Sequence, residues 1–145
     1  MQPNERILVL CTGNSCRSQM AEGYLRHLGG EGIEVRSAGL EAHGLNPRAV
    51  KVMAEDGIDI SGHSSDVVDP DGLRWASLVI TVCGHADRYC PAVPGRVGKR
   101  HIPFPDPARE TGSEQEMLSK FREVRDQIRS SMLGLVRELE QRRAV

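Results

Sequence analysis

The sequence predicts an α/β fold built on a four-stranded parallel sheet, and three observations carry that prediction. Arg6–Leu10 and Leu78–Val82 are β-rich and almost wholly apolar, as strands covered on both faces are. The chain opens strand, helix, strand, helix, an order that makes neighbouring strands parallel. Both apolar strands lead into a cysteine, Cys11 and Cys83, at the carboxyl edge where open α/β sheets bind ligands.

The first strand, residues 6–10, is followed by Cys11-Thr12-Gly13-Asn14-Ser15-Cys16-Arg17-Ser18. From Ser18 to Leu28 the residues Met20, Ala21, Tyr24, Leu25 and Leu28 recur at three and four, a helical stripe closed by Gly29-Gly30. Ile33–Ala38 reads as a second strand. Asn46 then offers an N-cap and Pro47 a first-turn proline to a helix that runs to Asp56 and stops at Gly57. Residues 58–75 carry Gly, His, Ser, Asp and Pro and read as loop, with one short helix over Pro70–Trp75. Leu78–Val82 is the third strand and Arg100–Ile102 a short fourth. Pro103, Pro105 and Pro107 fix an extended loop around Asp106. Ser113 and Glu116 form a capping box, and Leu118, Phe121, Val124, Ile128, Met132, Leu135 and Leu139 continue as a long terminal helix lying on the sheet.

At 145 residues the chain is expected to be a single domain, residues 1–145, able to stand without disulfide staples. Its formal charge is -1 and its basic residues are dispersed until Arg142-Arg143, so neither nucleic acid nor an anionic membrane is an expected partner. The apolar run at residues 7–10 is too short for a signal segment or a membrane span, and a cytoplasmic monomer is expected. In that setting Cys11, Cys16, Cys83 and Cys90 read as reduced, reactive thiols rather than structural disulfides. Their spacings do not match a zinc knuckle.

A cysteine, five residues and an arginine between a strand and a helix are the layout of a nucleophile that grips an oxyanion. Consecutive backbone N–H groups at a helix N-terminus make a concave anion site, and Arg17 can fork onto two oxygens of a tetrahedral anion. The same positive field is expected to make Cys11 a thiolate. Gly13 permits close backbone approach, Asn14 tolerates a left-handed conformation and can brace the loop, and Ser18 is expected to donate its hydroxyl to the Cys11 sulfur. Spacing alone does not decide this, because Cys90 and Arg96 repeat it. That second stretch contains Pro91 and Pro94, which lack N–H donors, and it does not run from a strand into a helix.

The stretch Cys-Thr-Gly-Asn-Ser-Cys-Arg-Ser-Gln-Met-Ala-Glu-Gly from Cys11 to Gly23 resembles the phosphate loop of the low-molecular-weight protein tyrosine phosphatase fold, its arsenate-reductase branch above all. The likeness continues through Ser37-Ala38-Gly39, His43-Gly44-Leu45-Asn46-Pro47, Asp59-Ile60-Ser61, Ser65-Asp66, Cys83, Cys90, Asp106-Pro107 and Phe121–Asp126. It implies a three-layer, doubly wound fold and a thioredoxin-coupled arsenate reductase with no bound redox cofactor. Cys11, Cys83 and Cys90 match the three redox cysteines, and Cys16 matches a non-essential position. Where the commonest reductase pattern has a tryptophan, a glycine and paired aspartates, this chain has Ile102, Pro103 and Pro105 before Asp106.

The implied reaction needs two electrons, which paired thiols supply. Cys11 attacks arsenic held by the amides of Thr12, Gly13, Asn14, Ser15, Cys16, Arg17 and Ser18 and by the Arg17 side chain, while Asp106 protonates the departing oxygen. Cys83 then displaces arsenite by forming a Cys11–Cys83 disulfide, and Cys90 moves the oxidation to Cys83–Cys90 for thioredoxin to reduce. Residues 83–90 span about two helical turns, roughly 10 Å along a helix axis. Since bridged cysteines need Cα atoms within roughly 7 Å, the segment is expected to unwind when oxidised. Asn14, Glu22, Ser37 and Asp66 match oxygen ligands of a potassium ion in some relatives, and His63 matches a residue beside that ion. His27, His43, His85 and His101 receive no catalytic role. Two alternatives share the pocket: a phosphatase acting through a Cys11 phosphoenzyme, and a non-catalytic redox or oxyanion sensor. Ala108 and Arg109 stand where a tyrosine phosphatase would place aromatic residues after Asp106-Pro107.

Overall fold

The computed structural model describes residues 5–143. Four strands, β1 (Glu5–Cys11), β2 (Ile33–Gly39), β3 (Leu78–Thr81) and β4 (Gly98–His101), form one parallel sheet in the order β2-β1-β3-β4. β1 lies inside the sheet, and its consecutive residues Ile7, Leu8, Val9 and Leu10 are each no more than 2% exposed. Both faces of β1 are therefore covered, which is what its unbroken apolar run requires.

Helices α1 (Arg17–Gly29), α2 (Pro47–Glu55) and α5 (Glu114–Arg143) pack with one another on the sheet. The short helices α3 (Pro70–Trp75) and α4 (Gly84–Arg88) lie against β1 and β3, with Gly72 of α3 set over Leu8. On α5 the side chains of Phe121, Val124, Ile128 and Met132 are fully buried at helical spacing. Each contributes about 1.5–3 kcal/mol of burial, which holds the longest helix on the domain.

The local signals act as read. Asn46 Oδ1 accepts from Arg48 N at 2.9 Å, with Pro47 opening α2, and Asp69 Oδ1 accepts from Gly72 N at 2.7 Å to start α3. Ser113 and Glu116 exchange both bonds of the capping box, at 3.1 and 3.3 Å. Gly30, at φ +59°, and Gly57, at φ +77°, take left-handed turns that a side chain would strain.

The structure adds three points to the sequence reading. The fourth strand begins two residues earlier, at Gly98, because Gly98 N already bonds Ser77 O at 2.9 Å. The 58–69 loop is tied to the end of β2, where Gly39 N donates to Asp66 O and Val68 N to Gly39 O, both at 2.8 Å. Residues 83–90 do not make two helical turns: Cys83 is the extended N-cap of α4, Tyr89 is its C-cap, and Cys90 lies beyond it. The decisive arrangement is the reversal of strand order. β2 lies on one side of β1 and β3 on the other, so the crevice outside their carboxyl ends is a topological switch point.

Candidate active site

Cys11 ends β1 and Arg17 begins α1, so residues 12–16 make the whole turn. The chain leaving β2 clamps that turn from outside. Leu40 N donates to Cys11 O at 3.2 Å, Glu41 N to Thr12 O at 2.9 Å, His43 N to Gly13 O at 2.9 Å and Asn46 N to Ser15 O at 3.0 Å. Gln19 Nε2 donates to Asn14 O at 3.1 Å. With the carbonyls of residues 11–15 all facing outward, planar trans peptides turn the following N–H groups inward as a nest for an anion.

Asn14 makes this shape possible. Its φ of +48° is the left-handed value that Asn tolerates, and its fully buried side chain pins the loop on three sides. Nδ2 donates to Ser18 Oγ at 2.8 Å and to Ser37 Oγ at 3.0 Å, and Oδ1 accepts from Asp66 N at 2.9 Å. Ser18 is thus engaged by Asn14. Ser18 Oγ accepts there, and the expected hydrogen bond from its hydroxyl to the Cys11 sulfur does not occur among the described residues.

Arg17 reaches across the nest. Its Nη1 donates to Phe104 O at 3.1 Å and its Nη2 lies 3.7 Å from Asp106 Oδ2, which brings the proline-rich loop over the pocket. Arg17 Nε is buried with no hydrogen-bond partner among the described residues. Asp106 Oδ1 accepts from Ala108 N at 3.0 Å, and Arg109 Nε stands 3.7 Å from Oδ2. Cys11, Thr12, Gly13, Ser15, Cys16, Arg17, His43, Asp106, Ala108 and Arg109 enclose a cavity of about 210 Å³, the size of a small ligand.

The buried sulfurs of Cys11 and Cys83 lie close enough that ionisation of one opposes ionisation of the other. Cys83 is pulled down by Cys11 first, with help from Thr12 Oγ1 at 3.3 Å, Ala86 N at 3.3 Å and the charge of Arg17. Cys11 is pushed up by Cys83 and by burial, and Arg17 opposes the rise. The pair carries one negative charge between its two sulfurs. Cys16, 4.0 Å from Asp106 Oδ1, is pushed up by burial and then by that carboxylate, and burial raises half-buried Cys90.

The oxygen donors matched to a potassium ion gather behind the loop. Ser37 Oγ donates to Glu22 Oε1 at 2.6 Å, Asn14 Nδ2 reaches Ser37, and Asp66 joins through its N–H to Asn14. Glu22, Ser37, His63 and Asp66 border a second cavity of about 350 Å³. No group of three or more His, Cys, Asp or Glu spaced for a metal occurs among the described residues. Hydroxyl, amide and carboxylate oxygens without thiolate or imidazole ligands fit a weakly held hard cation, although Arg26 Nε, 2.8 Å from Glu22 Oε2, already shares its charge.

Sequence reasoning missed three contributors and the side-chain role of Thr12, which it had placed only through its amide. Thr12 bonds the Cys83 sulfur, Gln19 ties Asn14 O to Ser64 O, the His43 ring walls the cavity beside Gly13, and Arg109 flanks Asp106. Pattern carries no sign of the first three, which depend on chain crossings that only the packed sheet creates, whereas Arg109 meets Asp106 locally, three residues on.

An open parallel sheet whose switch point holds a cysteine-to-arginine anion nest under an aspartate defines the class of thiol enzymes that handle tetrahedral oxyanions. The match to the family described as low molecular weight phosphotyrosine protein phosphatase runs over residues 6–145, and the chain belongs to that family. It is 54% identical over 125 residues to the arsenate reductase of Bacillus subtilis (strain 168), covering 86% of this chain and 90% of that protein. Its structure resembles an arsenate reductase in the phosphate binding state, with a TM-score of 0.76 and 33% identity over 92% of this chain and 98% of the other. It also resembles a protein tyrosine phosphatase, with a TM-score of 0.79 and 28% identity over 96% and 97% of the two chains.

Proposed function

We propose that this protein reduces arsenate to arsenite with electrons from its own thiols, and that thioredoxin restores them. The observation that carries the reading is the buried Cys83 sulfur, brought against the anion nest by Thr12 Oγ1 at 3.3 Å and capped by Ala86 N at 3.3 Å. A phosphatase has no use for that second thiol.

The steps follow from the groups present. Arsenate takes the inward amides of the loop and the Arg17 guanidinium, which balance its charge. Cys11 as thiolate attacks arsenic, while Asp106 gives a proton to the departing hydroxyl, which leaves as water. Cys83 then gives its proton to an oxygen of the arsenic adduct and attacks the Cys11 sulfur. The S–S bond forms, the S–As bond breaks with its electron pair staying on arsenic, and arsenite is released. Cys90 then attacks Cys83, returning Cys11 as thiolate, and an external dithiol reduces the Cys83–Cys90 bond. Asn14, Glu22, Ser37 and Asp66 would hold a potassium ion, whose charge would add to the positive field under the nest.

The deciding experiment supplies arsenate, thioredoxin, thioredoxin reductase and NADPH to the protein and to its Cys11→Ser and Cys83→Ser variants. NADPH consumption that depends on arsenate and is lost in both variants is expected. Arsenate-independent ester hydrolysis lost only in Cys11→Ser would favour a phosphatase, and oxidation without sustained NADPH consumption would favour a sensor. Stabilisation by potassium chloride beyond that by sodium chloride, absent in Glu22→Gln, tests the ion.

A further inference from the structure

Helix α4 is a single turn, too short to persist on its own hydrogen bonds. Two side-chain ties fasten it to the sheet. The first is the Cys83 sulfur, which accepts Ala86 N at 3.3 Å and caps the helix. The second is Asp87. Thr81 Oγ1, at the end of β3 and fully buried, donates to Asp87 Oδ1 at 3.0 Å. Because that hydroxyl has one hydrogen, it accepts from His101 Nδ1 at 2.9 Å on β4. His101 Nδ1 and Lys99 Nζ stand 3.8 and 3.4 Å from the same carboxylate oxygen, and Lys99 Nζ also lies 3.5 Å from Asp87 O. One carboxylate on α4 thus meets three side chains from two strands.

We infer that Asp87 is a positioning residue for the thiol relay: its carboxylate ties α4 to β3 and β4, holds Cys83 beside Cys11, and must let go before Cys83 and Cys90 can join. This inference rests on the relay proposed above. The order of release follows from the two ties. When Cys83 becomes half of a Cys11–Cys83 disulfide, its sulfur can no longer carry thiolate charge and is a poorer acceptor for Ala86 N–H, so the cap weakens first. Asp87 is then the remaining side-chain anchor. In the next step Cys90 thiolate attacks Cys83 Sγ. The Cys83–Cys90 bond forms, the Cys11–Cys83 bond breaks, its electron pair leaves on Cys11, and no net oxidation occurs. The anchor favours the reduced, helical form, so its loss should favour the disulfide.

The test uses a Cys11→Ser, Cys16→Ser background, in which only Cys83 and Cys90 can pair. The protein is equilibrated across ratios of reduced to oxidised dithiothreitol, its free thiols are trapped with a maleimide, and the disulfide fraction is read by mass. Asp87→Asn is expected to move the midpoint roughly fivefold toward the disulfide, and Asp87→Glu to recover part of that shift. Lys99→Met, at an exposed position, is expected to move it the same way by less. Disulfide formation with an unchanged midpoint in Asp87→Asn, or a shift toward the dithiol, overturns the inference while leaving the relay standing. Absence of the Cys83–Cys90 disulfide at every ratio in the background protein overturns the relay and the inference with it.

Discussion

Thr12 Oγ1 and Cys83 Sγ lie 3.3 Å apart although they are 71 residues apart in the chain. They meet because β1 and β3 are adjacent and in register, Leu10 opposite Thr81, so that the residues just past each strand end face one another. A hydroxyl in the anion nest therefore stabilises the thiolate of the second nucleophile. Thr12→Val keeps the shape and removes that donor. Attack of Cys83 on Cys11 is expected to slow about tenfold, with formation of the arsenic adduct little changed. Rapid-quench trapping of the Cys11–Cys83 disulfide in a single turnover reads this directly.

The shared proton of Cys11 and Cys83 gives a pH signature. Cys11 is raised first by its hydrogen bond to Cys83, then by burial, and lowered by Arg17. Cys83→Ala removes the first cause and keeps the Arg17 charge, so Cys11 should ionise at lower pH. Alkylation of Cys11 by iodoacetamide, followed by peptide mass mapping, is expected to rise at lower pH in the variant than in the parent. A shift to higher pH would contradict the pairing.

Asp106 is placed over the nest by its capping bond to Ala108 N at 3.0 Å and by Arg17 at 3.7 Å. Asp106→Asn can keep the capping bond to Ala108 N but loses the charge facing Arg17 and the transferable proton. Its kcat with arsenate is expected to fall about 10²-fold while binding of inorganic phosphate, read by calorimetry, changes little. Equal losses in both would assign Asp106 to binding.

Gly39 is where the clamp presses on the nest. A Cβ there would stand 2.4 Å from Glu41 O, 2.7 Å from Thr12 O and 2.8 Å from Asn14 N, all backbone atoms that cannot rotate away. Gly39→Ala is expected to cost about 1–3 kcal/mol and to weaken phosphate binding, measured by urea unfolding with and without phosphate. Gly62→Ala, where a Cβ meets nothing within 4 Å, is the control.

These contrasts show what the chain made legible. Apolar runs located β1 and β3, and periodic spacing located α1 and α5, because burial on both faces or along one stripe leaves its mark in residue type. The nest was readable because a strand, a loop and a helix follow one another within residues 5–29. Thr12 beside Cys83, or Asp87 among Thr81, Lys99 and His101, depended on which strands are neighbours, and strand order has no local signature. The mutual influence of Cys11 and Cys83 was hidden for the same reason. The loop's field was visible in the sequence, but the nearness of the second thiol was not.

The unpartnered, buried Arg17 Nε carries a consequence for the whole molecule. Burying a guanidinium nitrogen without an acceptor costs the fold free energy that a tetrahedral anion in the nest removes. The protein is accordingly expected to be sturdier at work than at rest. Ordinary cellular phosphate, by lodging in the nest between turnovers, would act as a guardian of the fold as much as a competitor for its substrate.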